Sequence, residues 1–203
     1  MSKINWKPGT MLFPLPVVMV SLGESVEEYN IITIAWTGTI CSNPPMCYIS
    51  VRPQRHSYDI LQRTREFVIN LTTRPLAFAT DWCGVRSGSQ YRKFEEMRLT
   101  PGPAAVVKAP VIAEAPINIE CRVTEIKRLG THDMFLAEIV NVQVDEKYID
   151  PRTNALQFSK TEPIAFAHGQ YFALGERIGK FGYSVQKPRK KRKHSPVLSK
   201  KKR

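Results

Sequence analysis

The sequence lacks the patterns by which several large classes of protein are recognised. No apolar run approaches the roughly 18 residues that a membrane-spanning helix requires. The apolar stretch at 11–20 is interrupted by Pro14 and Pro16, and no small-residue cleavage site follows it. We therefore expect no export signal and no membrane association, and a soluble protein of the cytoplasm.

Cysteine and histidine are scarce and scattered. The four cysteines contain no CxxC pair, and a core of this size has no need of disulfides, so we expect free thiols in a reducing cytosol. The four histidines form no HExxH motif, and no Cys/His cluster has zinc-finger spacing, so we expect no metal site. Neither a Walker loop nor a GxSxG motif is present. The sequence therefore lacks the residues that P-loop phosphoryl transfer and serine acyl transfer require.

Charge is distributed unevenly. The net charge is +12, but residues 187–203 hold ten Lys or Arg and no acid, which leaves 20 basic and 18 acidic residues before them. A tail of this composition, without apolar periodicity, cannot bury enough surface to fold, so we expect one domain at 1–186 and a disordered basic tail at 187–203. The tail either binds nucleic acid or another polyanion weakly and nonspecifically, or serves as a solubilising extension, and both interpretations remain open.

The body of the chain reads as a series of strands with few helices. Apolar, β-branched stretches bounded by turn residues predict strands at 17–21, 31–37, 46–52, 66–71, 116–126 and 134–144. Alternation is clearest at 117–124, where it predicts a strand with one face toward water and a hairpin turn at 130–133.

Helices are predicted only between these strands. Residues 57–63 start with Ser57 as a helix cap, residues 75–82 start with Pro75, and 90–97 is a weaker candidate. The chain has no βαβ alternation and no glycine fingerprint, so the predicted fold is mainly β with short helices, an antiparallel barrel of Greek-key type.

Seven short blocks, in this order and spacing, give the chain its resemblance to a known family. The blocks are NIITIAWTG at 30–38, SNPP at 42–45, ISVR at 49–52, HSYD at 56–59, FVINL at 67–71, CGVRSG at 83–88 and KF at 93–94. Together they resemble the flavin reductase-like, FMN-binding split-barrel family, and within it the flavoredoxin-like branch. The resemblance implies a split β-barrel, a homodimer and bound FMN.

FMN needs donors for its phosphate, a flat apolar slot for its ring and polar groups at the ring edges. Ser57 at the start of a helix, with Arg52 and His56 before it, is the candidate phosphate site, because helix N-termini bind anions. The alternative is that Ser57 only caps its helix and Arg52 is a solvated strand end. The resemblance adds Ser50, Val51 and Ser87 to the residues expected to bind the cofactor.

The ring is expected beside one strand. Thr33, Ala35 and Trp36 lie on the predicted strand that runs along the flavin in related barrels, with Trp36 against the ring and Asn30 at its polar edge. A tryptophan in an apolar strand is more often part of the core, which is the alternative.

Two further residues are candidates for tuning the flavin. The resemblance places the Lys93 ammonium near the flavin pyrimidine, where it would raise the midpoint potential; taken alone, Lys93 would be a solvated lysine. His132, in the predicted hairpin turn, is expected on the flavin or nicotinamide side, and its alternative is an exposed turn residue. No catalytic base is required.

The last candidates and the activity follow from the same resemblance. Phe166, with His168 and Tyr171, is expected to close over the ring from the other subunit of the dimer. The expected activity is transfer of hydride or electrons from NAD(P)H, or from a redox protein, through bound FMN. The alternative is a non-catalytic flavin-binding module that its tail tethers to nucleic acid or an acidic partner.

Overall fold

The computed structural model describes residues 1–186, and the predicted disordered tail lies outside the described residues. The strands are β1 (Leu15–Pro16), β2 (Val18–Leu22), β3 (Asn30–Ile34), β4 (Thr37–Ser42), β5 (Pro45–Val51), β6 (Glu66–Leu71), β7 (Pro101–Gly102), β8 (Val111–Ile112), β9 (Ile117–Arg128), β10 (Asp133–Val144), β11 (Ile164–Ala167) and β12 (Gln170–Ala173). The helices are α1 (His56–Thr64), α2 (Ala77–Val85) and α3 (Lys93–Glu96), with 3₁₀ turns at Arg74–Leu76, Glu146–Tyr148, Phe158–Thr161 and Tyr183–Val185.

Seven strands form one antiparallel sheet in the order β3-β2-β6-β9-β10-β5-β4. Although β3 and β5 lie near opposite ends of this order, Ile32 of β3 and Ile49 of β5 belong to the same buried cluster as Phe67 and Phe135 from the middle of the sheet. Residues from both ends can share one interior only if the sheet curls, so the sheet is a barrel with α1 packed against its core. The predicted mainly β antiparallel barrel is confirmed.

The strand predicted at 31–37 is wrong in its second half. β3 ends at Ile34, the chain bends at Ala35 and Trp36, and β4 begins at Thr37. Trp36 is 38% exposed, and its carbonyl accepts a hydrogen bond from the Ser50 N–H at 2.9 Å. Ala35 and Trp36 therefore do not share a strand with Thr33, because the apolar run contains a bend that sequence periodicity does not reveal.

The expected water-facing side of β9 is also wrong at two positions. Asn118 is 7% exposed and Glu120 is fully buried, because residues 103–112 cover this side of the sheet. Glu120 accepts backbone hydrogen bonds from this covering segment and side-chain bonds from β10; the donors are Ala105, Val106, Val107, Asn141 and Gln143. A buried carboxylate is tolerated here because its acceptor capacity is satisfied.

The helices lie where they were predicted, with shifted ends. α1 begins at His56, its capping residue is Arg55, and Ser57 makes no cap hydrogen bond, so the predicted Ser57 cap is wrong. Pro75 lies in the 3₁₀ turn that leads into α2. The helix predicted at 90–97 is reduced to the four residues of α3. Within residues 1–186, no helix is both long enough and apolar enough to span a membrane.

Candidate functional site

Two small adjoining cavities bring together most of the residues that the sequence singles out. The first, which we call the Ser57 cavity, has a volume of about 180 Å³ and is lined by residues 32, 54–57, 83, 84, 86–88 and 93. The second, the Trp36 cavity, also has a volume of about 180 Å³ and is lined by residues 32–36, 50–52, 55 and 132. Ile32 and Arg55 line both cavities, so the two are neighbours along β3 and the start of α1.

The Ser57 cavity is suited to an anion. Arg55 and His56 stand at the start of α1, where the first N–H groups have no partner inside the helix. Arg86 adds a second guanidinium, and Ser57 and Ser87 add hydroxyls. Helix N–H groups, positive charge and hydroxyls are the donors by which proteins bind phosphate.

Lys93 lies in the lining of the Ser57 cavity rather than on a solvated face. It is 3% exposed, and its Nζ donates hydrogen bonds to the Ile31 carbonyl at 2.7 Å and the Cys83 carbonyl at 2.6 Å. Burial, assisted by the positive charge of Arg55 and opposed by Cys83, lowers the pKa of Lys93 to about 8. Lys93 thus carries a charge at neutral pH that it loses under mildly alkaline conditions.

Asn30 lies between the Ser57 hydroxyl and Gly88. It is 3% exposed, and its Nδ2 donates to Ser57 Oγ at 2.9 Å. Among the described residues, Asn30 Oδ1 is a buried side-chain atom without a hydrogen-bond partner. A Cβ at residue 88 would collide with the Asn30 amide, so only glycine fits there.

An aromatic wall borders the Trp36 cavity. The rings of Trp36 and His132 lie 4.5 Å apart between centroids, tilted by 43°. Arg52 Nε donates to His132 Nε2 at 3.3 Å, and the Thr131 hydroxyl lies 3.0 Å from His132 Nδ1. Burial lowers the pKa of His132, and the charges of Arg52 and Arg55 lower it further, so this imidazole is neutral at pH 7.

The structure therefore differs from both alternatives considered in the sequence, a Trp36 in the core and a His132 exposed in a turn. Trp36 is partly exposed at the cavity rather than in the core, and His132 is half-buried against it. Thr33, Ala35, Ser50 and Val51 complete the lining. The Thr33 hydroxyl donates to the Thr80 carbonyl at 2.5 Å and is already engaged.

Phe166 is not brought into these cavities within the described part of the chain. It belongs to a separate sheet of β1, β11 and β12, and it packs edge to face on Tyr171 with the ring centroids 5.4 Å apart. Tyr171 in turn donates to Asp81 Oδ1 at 3.0 Å. The expectation that Phe166 acts in the other subunit stays a prediction.

Three site residues were missed in the sequence. Arg55, Arg86 and Gly88 line the Ser57 cavity, although sequence reasoning named their neighbours His56 and Ser87. Arg55 and Arg86 were findable, since each is a basic residue directly beside a named candidate. The requirement for glycine at 88 was not, because it arises from contact with Asn30, 58 positions earlier in the chain.

The two cavities fit the parts of FMN. A cationic cavity at a helix N-terminus matches a dianionic phosphate, and a neighbouring slot walled by indole and imidazole matches a flat ring. The Asn30 oxygen without a partner offers an acceptor beside them. The fold and the site thus define an antiparallel barrel protein with a pocket of flavin type.

Comparison with known proteins supports this description of the fold and the pocket. Residues 10–175 match the family described as Flavin reductase like domain, and the chain belongs to this family. Flavoredoxin of Desulfovibrio vulgaris (Miyazaki F) has the same fold, with a TM-score of 0.83 and 28% identity over 91% of this chain and 100% of that chain. The FMN-binding protein from Thermus thermophilus shares the fold at 20% identity, with a TM-score of 0.70 over 89% of this chain and 98% of that one.

The name of one curated relative states an enzymatic activity. The NADPH-flavin oxidoreductase of Streptomyces viridifaciens is 23% identical over 134 residues, which cover 65% of this chain and 68% of the relative. The resemblance read from the sequence is confirmed at the level of family and fold, and the family supports a flavin cofactor and an oxidoreductase.

Proposed function

We propose that this protein binds FMN across the Ser57 and Trp36 cavities and transfers hydride or electrons from NAD(P)H, or from a redox protein, to an acceptor. The observation that carries the proposal is the junction of an anion-binding cavity with an aromatic-walled cavity at Ile32 and Arg55. FMN supplies the hydride and electron chemistry at its ring, and the protein supplies binding and orientation.

At the phosphate end, the chain's own groups neutralise and orient the anion. Arg55 and Arg86 contribute charge, and the hydroxyls of Ser57 and Ser87 contribute short-range donors. The Asn30 amide holds Ser57 Oγ by donating to it, which leaves the hydroxyl hydrogen of Ser57 free to be donated. Ser57 is thus both a binding residue and part of a buried network.

At the ring end, Trp36 and His132 form one face of the slot. Arg52 fixes the imidazole by donating to Nε2, and the neutral imidazole adds no charge at that face. Lys93 contributes a positive charge to the lining of the adjoining Ser57 cavity. From there it favours the reduced, more negative state of the bound flavin ring.

We further propose a homodimer in a reducing cytoplasm, with residues 1–186 as the folded domain. Large apolar side chains at both ends of the described chain are exposed; they are Ile4, Trp6, Leu12, Ile178, Phe181 and Val185. A second copy that covers them would explain this exposure. All four cysteines are free thiols, as a reducing compartment requires.

An absorption spectrum of the freshly purified protein tests the proposal, before and after anaerobic NADH and NADPH. Flavin bands that bleach rapidly with a pyridine nucleotide would support a reductase and identify its donor. Bands that persist would favour a carrier that needs a protein donor. A colourless protein that does not take up added FMN would contradict the proposal.

A further inference from the structure

A further cavity, which we call the Leu12 cavity, adjoins the Trp36 cavity and has a volume of about 260 Å³. Its lining consists of Thr10, Leu12, Leu15, Trp36, Tyr48 and Ser50. Trp36 and Ser50 also line the Trp36 cavity, so the two cavities are neighbours. An apolar cavity of roughly 150 Å³ holds benzene, so the volume of the Leu12 cavity suits a single ring with one substituent.

The walls of the Leu12 cavity are mostly apolar and aromatic. Leu12 and Leu15 contribute aliphatic side chains, and Trp36 and Tyr48 contribute rings. The Tyr48 ring packs over the glycine at 38, where a Cβ would approach Tyr48 Cε1 to 3.2 Å. Leu12 is 82% exposed, so a ligand held against it removes apolar surface from water. Aromatic walls favour a flat aromatic ligand, because ring contacts add to the burial of apolar area.

A guanidinium without an acidic partner lies at the end of this lining. Tyr48, Ser50 and Arg52 follow one another at every second residue of β5 and its continuation, so their side chains leave the same face. Arg52 Nε donates to His132, and its two terminal nitrogens have no hydrogen-bond partner in the described part of the chain.

The charge of Arg52 is also uncompensated. Within residues 1–186, no aspartate or glutamate lines the Leu12 or Trp36 cavity, and none forms an ion pair with Arg52. Arg122, on β9, instead pairs with Glu66 at 3.3 Å. A guanidinium whose terminal nitrogens are free is suited to bind a carboxylate through two parallel hydrogen bonds.

We propose that the Leu12 cavity and Arg52 form a binding site for a small aromatic carboxylate, a single flat ring with one acid group. The ring lies between Leu12 and Trp36, and the carboxylate accepts hydrogen bonds from the terminal nitrogens of Arg52. This site is separate from the phosphate site, because Arg52 does not line the Ser57 cavity. The ligand would lie next to the slot for the flavin ring, and this placement alone rests on the proposed function.

The test is calorimetric titration of the full-length protein, flavin-free and saturated with FMN, with benzoate and with its uncharged analogue benzamide. We expect benzoate to bind at least tenfold more tightly than benzamide in both forms. Arg52 is exposed, so Arg52→Gln should leave the core intact. It is expected to reduce the affinity for benzoate at least tenfold and to leave that for benzamide within twofold. Leu12→Trp should fill the cavity and reduce both affinities at least fivefold.

Arg122→Gln and Leu156→Trp are the matched controls, because both residues are exposed and line neither cavity. Neither should change an affinity. Benzoate that does not bind, as when a second copy fills the cavity, or that binds no more tightly than benzamide would overturn the inference. So would an Arg52→Gln variant, or a Leu12→Trp variant, that binds benzoate as the unchanged protein does.

The two forms of the protein separate this inference from the proposed function. If FMN displaces benzoate, the Leu12 cavity takes part of the flavin, and the inference is wrong while the proposed function stands. If benzoate binds as expected but FMN does not bind, the proposed function is wrong and the site for the carboxylate stands.

Discussion

The hydroxyl of Tyr58 donates a hydrogen bond of 2.6 Å to Asp133 Oδ2, and both side chains are buried. Tyr58 lies in the first turn of α1, next to Ser57, and Asp133 begins β10 directly after His132. This one bond therefore ties the helix start that lines the Ser57 cavity to the hairpin end that carries the wall of the Trp36 cavity. Its loss should affect both stability and flavin binding.

Tyr58→Phe removes the donor and leaves the Asp133 carboxylate buried with one partner fewer. We expect the free energy of unfolding to fall by about 1–3 kcal/mol, as for other charged groups left without a partner. Urea unfolding measures this loss. Tyr183→Phe, at a residue that is 59% exposed, is the control. Equal losses in the two variants would show that the bond has no special role.

Ser57→Ala should weaken FMN binding by about 1–2 kcal/mol, or roughly five- to thirtyfold, because a hydroxyl donor to the phosphate is lost. Fluorescence titration with FMN gives the affinity, and thermal unfolding shows whether the fold persists. Ser42→Ala, at the exposed end of β4, is the matched control. An affinity that equals that of the unchanged protein would remove Ser57 from the site.

Lys93→Ala should lower the midpoint potential of the bound flavin by roughly 30–60 mV, because a positive charge no longer stabilises the reduced ring. Spectroelectrochemical titration measures the potential. Lys108→Ala removes an exposed lysine that pairs with Glu24 on the surface, and it should leave the potential unchanged. A potential unaffected by Lys93→Ala would exclude this lysine from tuning.

The affinity for FMN should fall as the pH rises through about 8. Lys93 loses its proton there because its pKa is lowered by burial, and the cavity then has one positive charge fewer for the phosphate. In Lys93→Ala this step should be missing between pH 7 and 9. Titrations at half-unit pH intervals compare the two proteins, and parallel curves would contradict the assignment.

Glu120→Gln should destabilise the protein by about 3 kcal/mol at pH 7. Burial raises the pKa of Glu120, but hydrogen bonds from Ala105, Asn141, Gln143 and Val106 outweigh burial and lower the pKa from 4.5 to about 2. A lowered carboxyl pKa stabilises the fold above the unfolded value of 4.5, and this contribution is lost as the pH falls toward 2.

The difference in stability between Glu120→Gln and the unchanged protein should accordingly shrink between pH 4.5 and 2. Glu138→Gln, at an exposed position of β10, is the control and should cost little at any pH. Denaturant unfolding at several pH values measures both. A difference that stays constant down to pH 2 would mean that ionisation of Glu120 does not stabilise the fold.

The sequence alone determined the fold class, the family and most of the local elements. β6 was predicted at its observed bounds, Glu66–Leu71, because turn residues limit a short β-branched run on both sides. The family follows from the order and spacing of several short blocks, which a linear sequence records directly. Ser57, Trp36, Lys93 and His132 were also identified as candidates from the sequence.

Only the tertiary structure decided how these residues are used. In the folded chain Glu120 is buried under a segment that begins 17 positions earlier. Trp36 lies at a cavity wall and not on the predicted strand, and Lys93 lies in the interior. The tertiary structure also joined the Ser57 and Trp36 cavities through Ile32 and Arg55. Periodicity reports which side of an element is apolar, a local property. Which segment covers that element is set by contacts between distant parts of the chain, and these form only when the barrel closes.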